Sequence, residues 1–486
     1  MRKIKILITI LVLFTVFSCQ KEEQPLGDPY LEFVSPSDAN ISINSNGSFS
    51  TPIIITLKTN REVLITSVDS SNNKSANWIT IYPSQLHKGI VSLQILVQNT
   101  FIRRTATIIV TSKSKNEGDI KQVTLNILLR QSTIHMSSSG TLRDDYFGGA
   151  VYGGWAYSTD KIDITGKIDA RDIYYMNRIM QSLEDIDIRD VAIEAYTGNE
   201  GTVYGSSVSY PANEMPQYSF SGKEVLSSII LPTNLTRIGN GAFAGCGLIK
   251  IDVPANVTSI GASAFNDCEK LTNINLPANL TSIEEGAFRD CEALTSISLP
   301  DNVTSIQDHT FIFCVKLASV DFSLNLTSIG YMAFRHCNLQ TLNFPTGLKS
   351  IGDWAFDDCS NLKTISFPTG LISIGDHAFA GCNGITELHL PDGLITLGMS
   401  SFEACDGLKT ITLPASLASI ESFTFNGCFN LKEIISYSEN PLNMTIGTFA
   451  FSSEIYSTCI LKVPAVAFEL YKTAAVWKEF KNIEKL

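Results

Sequence analysis

A unit of 22 or 23 residues repeats through the second half of the chain. Nine cysteines mark its period, at Cys246, Cys268, Cys291, Cys314, Cys337, Cys359, Cys382, Cys405 and Cys428. Ten phenylalanines keep the same period from one turn earlier, at Phe220, Phe243, Phe265, Phe288, Phe311, Phe334, Phe356, Phe379, Phe402 and Phe425. A unit this short cannot enclose a core alone, so it must bury its apolar side chains against its neighbours. The period therefore predicts a solenoid with one repeat per coil.

Each repeat has a fixed internal order. A Leu-x-x-Ile-x-Leu segment, such as Leu294 to Leu299, predicts a short strand that pairs with the same strand of the next coil. Pro300 follows and ends that strand, because proline lacks a backbone donor. A Leu-Thr-Ser-Ile segment is then expected to turn the chain back, and Phe and Cys to fill the outer edge of the core.

These units closely resemble the BspA-type leucine-rich repeat, with the consensus LTSIxLPxxLTSIGxxAFxxCxx, over residues 225–435. Pro464, Tyr471, Trp477 and Phe480 resemble the closing segment of such proteins. The resemblance implies a parallel β ribbon with a short helical or irregular convex side. Some family members are linked to attachment to host matrix proteins and other bacteria, so it also implies a binding role.

The N-terminus is typical of an exported lipoprotein. A positive start at Arg2, Lys3 and Lys5 precedes an apolar run over residues 6–17 that is too short to span a bilayer comfortably. The run ends in Val-Phe-Ser-Cys, which resembles a bacterial lipobox, so Cys19 is the predicted lipid attachment site. The alternative is a plain secretory signal with a chance cysteine. The following Gln-Lys-Glu-Glu resembles the surface-export signal of Bacteroidetes-type lipoproteins, which implies an outer-membrane protein exposed on the cell surface.

Residues 30–132 contain short apolar or alternating runs separated by turn-rich stretches, which predicts a small β-sandwich. Trp78 to Pro83, Asn99, Arg104 to Ala106 and the closing Arg-Gln resemble a BACON domain, an Ig-like module of Bacteroidetes surface proteins. Members of that family have been proposed to bind glycans, and many serve as spacers. Trp78 is either a sugar-stacking platform or, in the interpretation we favour, part of the sandwich core.

The expected fold class is β-rich, with a small Ig-like β-sandwich followed by a leucine-rich-repeat solenoid. The predicted segments are a signal peptide at 1–18, a tether at 19–29, the BACON-like sandwich at 30–132, a lead-in with degenerate repeats at 133–222, BspA-type repeats at 223–439 and a C-terminal cap at 440–486. Within the lead-in, residues 170–182 have helical spacing and residues 194–216 are expected to form an inserted loop.

The repeated cysteines could form disulfides, bind metal or remain free thiols. Because they occupy one repeated position that points inward, we expect buried free thiols that behave as small apolar side chains. A metal chain would need histidines or acids at repeated spacing, and we find no shared repeat position among His309, His336, His377 and His389.

Composition and motifs indicate no enzyme and no cofactor. The chain lacks the common nucleophile, zinc and nucleotide-binding motifs, and acids such as Asp187, Asp190, Glu194, Glu284 and Glu285 are expected surface charges. A net charge of −12, without a basic run beyond the extreme N-terminus, argues against nucleic acid as a partner.

The side chains at the variable positions of the Leu-x-x-Ile-x-Leu strands form the first candidate binding surface, on the expected concave side. They are Ile249, Lys250, Asp252, Thr272, Asn273, Asn275, Thr295, Ser296, Ser298, Ala318, Ser319, Asp321, Gln340, Thr341, Asn343, Lys363, Thr364, Ser366, Thr386, Glu387 and His389. This surface is polar and nearly free of aromatic residues, so a merely solvated face is the alternative. Other candidate contacts are Tyr146, Tyr152, Trp155, Tyr157, Tyr196 and Tyr204. The predicted function is adhesion to a host or bacterial protein, with glycan binding as the alternative and the ligand residues unassigned.

Overall fold

The structure is a computed structural model of the 486-residue chain. It describes residues 134–147 and 159–486, without the side chains of 145–147, and before residue 134 only the backbone of the strands given below. The chain divides into two compact units, residues 1–134 with 153–163, and residues 135–152 with 164–486.

Several predicted residues lie outside this description. They are Cys19 and the rest of the tether, Trp78, Tyr152, Trp155 and Tyr157, together with the side chain of Tyr146. Lipid attachment and the role of Trp78 therefore stay predictions.

Strands of the first unit pair in two antiparallel sheets. One has the order Leu31–Ser35, Ile53–Thr59, Gly89–Val97 and Ile79–Tyr82. The other contains Gln122–Leu129, Arg104–Ser112 and Val63–Asp69, and the last of these also pairs with Lys74–Ser75 and Gln85–Leu86. A further short pair joins Ile4–Lys5 to Ser42–Ile43. The apolar runs that predict strands all lie within these elements, while membership of the BACON family stays a prediction.

The second unit begins with a small α/β cap. It contains residues 135–136 of strand Ile134–Met136, helix α1 (Leu142–Phe147), residues 164–168 of strand Lys161–Ile168, helix α2 (Ala170–Arg178) and strand Asp185–Ile193. Helix α2 is shorter than its predicted span and starts at a capping box formed by Asp169 and Asp172. Strand Asp185–Ile193 pairs in parallel with Ser228–Ile230, which makes it the first rung of the solenoid.

Residues 194–216, expected to be a loop, are more ordered than that. Tyr196–Gly198 and Val208–Tyr210 form an antiparallel hairpin, in which Tyr196 stacks on Tyr210 with ring centroids 6.1 Å apart. Strand Glu214–Met215 then pairs in parallel with the first short strand of the repeats. The expectation of a loop was wrong because the cross-strand pair of tyrosines lies outside the repeat pattern.

Two parallel ribbons run along the repeats. The first, here called the strand ribbon, contains Ser228–Ile230, Lys250–Asp252, Asn273–Asn275, Ser296–Ser298, Ser319–Asp321, Thr341–Asn343, Thr364–Ser366, Glu387–His389, Thr410–Leu413, Glu433–Ser436, Ile460–Val463 and Asn482–Lys485. The second contains Glu214–Met215, Arg237–Ile238, Ser259–Ile260, Ser282–Ile283, Ser305–Ile306, Ser328–Ile329, Ser350–Ile351, Ser373–Ile374, Thr396–Leu397, Ser419–Ile420 and Thr445–Ile446. The Thr-Ser-Ile segment is thus a strand as well as a turn, and the predicted β-rich solenoid is confirmed.

The phenylalanines stack along the core. Consecutive rings from Phe220 to Phe451 lie 5.1 to 5.9 Å apart, and the ten from Phe220 to Phe425 are fully buried. The ladder therefore continues one step beyond the last phenylalanine recognised in the sequence. At its end the rings of Trp477 and Phe480 lie 5.8 and 5.7 Å from that of Phe451, and both side chains are buried, as expected for a closing segment.

The cysteines are free and buried, as predicted. The structure adds a hydrogen bond to each of the nine repeat positions. Every thiol donates to the carbonyl of the phenylalanine one coil earlier, from Cys246 on Phe220 to Cys428 on Phe402, at 3.0 to 3.3 Å. A buried carbonyl needs such a partner, so cysteine supplies both apolar volume and a donor at this position.

Lys223 takes the place of cysteine in the first turn. It is buried, and its Nζ donates to the carbonyls of Asn177 and Met180 at the end of α2, at 3.1 and 2.8 Å. Burial lowers the pKa of this ammonium to about 8. The expectation of a boundary turn is explained, because Lys223 joins the repeats to the cap at the carbonyl end of a helix.

Short helices occur after the repeats. They are two 3₁₀ turns, Pro441–Asn443 and Trp477–Glu479, and two single α turns, α3 (Ile455–Thr458) and α4 (Phe468–Tyr471). No helix in the described part of the chain combines the length and apolar character needed to cross a membrane.

Candidate functional site

The strand ribbon exposes the residues that the sequence predicts. All the residues at the predicted variable positions, from Ile249 to His389, are exposed except Ala318, which is half-buried. Many of the exposed groups bond to one another across coils, as Asn275 does to Asp252, Thr364 to Thr341 and His389 to Thr412. Such ladders satisfy much of the ribbon's own polarity, which supports the interpretation of a solvated face.

A third ladder, here called the turn face, joins the segments between the second ribbon and each cysteine. In the coil of His309, the N–H groups of His309, Phe311 and Phe313 donate to Tyr331, Ala333 and Arg335 of the next coil at 2.8 to 2.9 Å. The two residues flanking the buried phenylalanine are left-handed, with φ of 58° at His309 and 61° at Phe313. This geometry favours glycine, which holds these positions at Gly241, Gly245 and Gly286.

In the middle coils these left-handed positions carry large side chains instead. They are His309, Phe313, Met332, His336, Trp354 and His377, with φ between 52° and 61°. A bulky residue in this conformation costs on the order of 1 kcal/mol or more. Left-handed residues occur in every coil, and Phe423 and Phe449 are further large examples towards the C-terminus. The run of six large side chains in neighbouring coils, on a solvent-facing ladder, marks a candidate functional site.

Trp354 is the centre of this site. The Arg335 guanidinium lies over one face of its ring at 5.1 Å, and the His377 ring stacks on it at 3.9 Å and 12°. Arg335 is itself held by Asp357, with Nε 2.7 Å from the carboxylate. The Trp354 side chain is therefore held in place by its neighbours, although it is only half-buried.

Two further ring pairs extend the site. His336 stacks on Phe313 at 5.0 Å, and His309 meets the edge of Tyr331 at 5.2 Å. We call His309, Phe313, Tyr331, Arg335, His336, Trp354 and His377 the aromatic patch. The expectation that the histidines share no repeat position was wrong in one respect. His309 and His377 occupy the same repeat position, three residues after the second-ribbon isoleucine, and both are left-handed.

One side-chain cluster beside the patch has metal-ligating chemistry. His336, Asp357 and Asp358 each offer one ligand atom, and these atoms lie within 4.8 Å of one another. Burial raises the pKa of Asp357, while the bond from Arg335 opposes that rise. A cation would have to compete with Arg335 for this carboxylate, so we interpret the cluster as an ion-pair network.

A separate cleft of about 310 Å³ opens in the N-terminal cap. Tyr174 and the exposed Tyr204 stack at 5.3 Å on its wall, and Arg143, Asp144 and Glu200 add charged groups. Tyr196 lies instead under Arg171, 4.7 Å from the guanidinium. Beneath the cleft, burial raises the pKa of Asp172 to about 6, opposed by N–H bonds from Leu142, Gly140 and Asp169.

Four of the five acids named from the sequence make structural contacts. Asp187 binds Arg189, Glu194 binds Lys167, and Glu284 binds Arg237, at 2.6 to 2.8 Å. Glu285 lies 3.4 Å from His309. The aromatic patch was not predicted from the sequence. A signal was present, since large residues replace glycine at a fixed step from the repeated phenylalanine.

Comparisons with known proteins agree with the fold. The family model for the BspA type leucine rich repeat region matches residues 213–340, 281–392 and 327–458, which together span just over half of the chain. No curated protein matches. The chain is similar to three solved structures, all below 25% identity. One is a leucine-rich repeat protein from Bacteroides ovatus ATCC 8483, with 24% identity over 78% of this chain and 98% of that one and a TM-score of 0.47.

The second is a leucine rich cell surface protein from Faecalibacterium prausnitzii A2-165, with 24% identity over 62% of this chain and 87% of that one and a TM-score of 0.39. The third is the pneumococcal vaccine antigen PcpA, with 20% identity over 68% of this chain and 79% of that one and a TM-score of 0.37.

Proposed function

The chain belongs to the BspA-type leucine-rich-repeat family, and from that premise we propose that it is a non-catalytic surface lipoprotein whose solenoid binds a protein partner. The observation that carries the proposal is the fixed stack of Arg335, Trp354 and His377 on the turn face. Tryptophan, tyrosine and arginine dominate the hot spots of protein interfaces. The aromatic patch combines all three, whereas the strand ribbon has none of them at the positions predicted to bind.

Preorganisation strengthens this assignment. Ordering a free side chain at an interface costs about 0.5 to 1.5 kcal/mol. Trp354 has already lost much of that freedom, because Arg335 and His377 from the two adjacent coils lie against its ring and Asp357 holds Arg335. The half-buried Trp354 side chain is therefore held in place for contact with a partner, which suits a binding protein.

Substitution of Trp354 by glycine should abolish partner binding while leaving the fold intact. Glycine relieves the left-handed strain by about 1 kcal/mol, which offsets a similar loss of ring stacking. We therefore expect the free energy of unfolding to change by less than about 1 kcal/mol. The intact chain would be tested on an array of host matrix proteins, bacterial surface proteins and glycans. Any protein captured by the parent chain should be lost from Trp354→Gly.

The control is Phe429→Ala, which removes an exposed aromatic ring outside the aromatic patch. It should bind as the parent does. Capture of the same protein by Trp354→Gly, or an array that captures no protein at all, would refute the proposed function.

A second candidate function is glycan binding, favoured by the cleft of the cap. Sugars stack on aromatic rings and bond to charged groups, and Tyr204 is 69% exposed beside Arg143, Asp144 and Glu200. In this case the array would capture a glycan, and Tyr204→Ala would lose it while Tyr218→Ala, another exposed tyrosine, would not.

Membrane attachment rests on Cys19 and the lipobox resemblance. Cells that express the chain and are fed a labelled fatty acid should yield a labelled protein, and Cys19→Ser should remove the label. Protease added to intact cells should degrade the parent chain if it lies on the outer face. A labelled Cys19→Ser chain would refute lipidation at this residue, and full protection from protease would refute surface exposure.

A further inference from the structure

Charge is distributed unequally between the faces of the solenoid. In nine coils from Gly239 to Cys428, the turn-face segments contain eleven acids and two arginines, which gives nine net negative charges. The acids are Asp267, Glu284, Glu285, Asp290, Asp308, Asp353, Asp357, Asp358, Asp376, Glu403 and Glu421. The variable positions of the strand ribbon from Ile249 to Glu433 contain four lysines and four acids and are neutral.

The turn-face acids are accessible. All but Asp357 are exposed or half-buried. The two arginines of these segments offer little free positive charge, because Arg289 binds Asp290 at 3.0 Å and Arg335 binds Asp357 at 2.7 Å. Arg237 of the second ribbon pairs with Glu284 at 2.8 Å, and when it is included the net charge of this face is still eight negative. The field of this face is therefore negative, and it is strongest where the coil of Trp354 contributes three aspartates.

From this segregation we infer that the turn face docks a basic polypeptide surface, with the aromatic patch at the centre of the contact. The inference rests on the proposed function, and it specifies that the protein partner is positively charged. Aromatic anchors fill the desolvated middle of the interface, and the surrounding acids pair with lysine and arginine at its rim.

Other occupants fit this face less well. A phosphate or nucleic acid would be repelled by the net negative charge of this face. A second copy of this chain, with its own net charge of −12, would be repelled in the same way. A sugar ring would have to compete for the Trp354 ring with Arg335 of the preceding coil and His377 of the following coil, which both lie against it.

The test compares two triple variants with the same change in net charge. Glu285→Gln, Asp353→Asn and Asp358→Asn remove three acids from the turn face. Asp252→Asn, Asp321→Asn and Glu387→Gln remove three exposed acids from the strand ribbon. The amides keep the size and the acceptor oxygens of the acids, so both variants should fold. Binding of the intact chain to poly-L-lysine is measured, with poly-L-glutamate as the reference.

We expect the parent chain to bind poly-L-lysine and not poly-L-glutamate. The turn-face triple should weaken that binding about tenfold, and the ribbon triple by less than about twofold. Raising the salt concentration should slow association of the parent more than of the turn-face triple, because screening acts on the charges that remain.

If both triple variants weaken binding to poly-L-lysine equally, the inference is overturned, because the overall charge of the chain, and not the charge of one face, would then account for the binding. The outcome is separable from that of the proposed function. A protein that the array captures through Trp354, and that the turn-face triple binds as well as the parent does, leaves the proposed function standing and refutes the basic partner.

Discussion

A solenoid that is folded at about pH 8 should be largely unfolded at about pH 10, because its buried thiols cannot ionise in place. An exposed cysteine has a pKa of about 8.5. Burial raises the pKa of Cys268, Cys428 and Cys459 to about 12, and it raises those of the other seven repeat cysteines as well.

The sign and size follow from proton linkage. A raised pKa means that the folded chain holds protons that the unfolded chain releases above about pH 8.5, so stability is full below that pH and falls above it. Each thiol contributes about 1.4 kcal/mol per pH unit, and ten thiols together contribute about 14. The whole stability of a domain is about 5 to 15 kcal/mol. Lys223 acts in the opposite sense, because its pKa is lowered, but it is a single group.

Urea unfolding followed by circular dichroism at several pH values would measure this slope. The triple variant Cys291→Ala, Cys314→Ala and Cys337→Ala provides the matched comparison. It should be less stable than the parent at neutral pH and should lose stability less steeply above about pH 8.5, by roughly three-tenths. A slope that does not depend on the number of thiols would contradict the explanation.

The second large effect is expected when the phenylalanine ladder is interrupted. Phe334 is fully buried, and its ring lies 5.1 Å from Phe311 and 5.2 Å from Phe356. Phe334→Ala should destabilise the solenoid by about 3 to 5 kcal/mol, because it leaves a cavity and breaks two stacked pairs. Thermal or urea unfolding measures the loss.

An exposed aromatic residue serves as the comparison. Phe429 is 61% exposed, so Phe429→Ala should change stability by less than about 0.5 kcal/mol. In an array of coils, each of which contacts only its neighbours, the loss at Phe334 should also separate unfolding into two stages. A single sharp transition with unchanged midpoint in Phe334→Ala would show that the stack does not support the core.

The ladders of this protein were predictable because a residue in a solenoid contacts its own counterpart one repeat away. Phe334 stacks on the phenylalanines at the same position of the preceding and following repeats. The Cys337 thiol donates to the carbonyl of Phe311, one coil earlier. The spacing of the repeats therefore predicts which residues are neighbours in the structure. Where the chain does not repeat, this information ends, and the tyrosine hairpin of residues 194–216 was expected to be a loop for that reason.

The sequence by itself determined the solenoid, the inward Phe and Cys ladders, the exposed ribbon and the family. All of these depend on contacts between residues at the same repeat position in neighbouring coils. Only the tertiary structure decided where the aromatic patch lies. Arg335 follows its repeated phenylalanine and Trp354 precedes the next one by two residues, so unlike positions meet across coils at 5.1 Å. Their contact depends on two left-handed residues in every turn, a backbone property that side-chain periodicity does not encode.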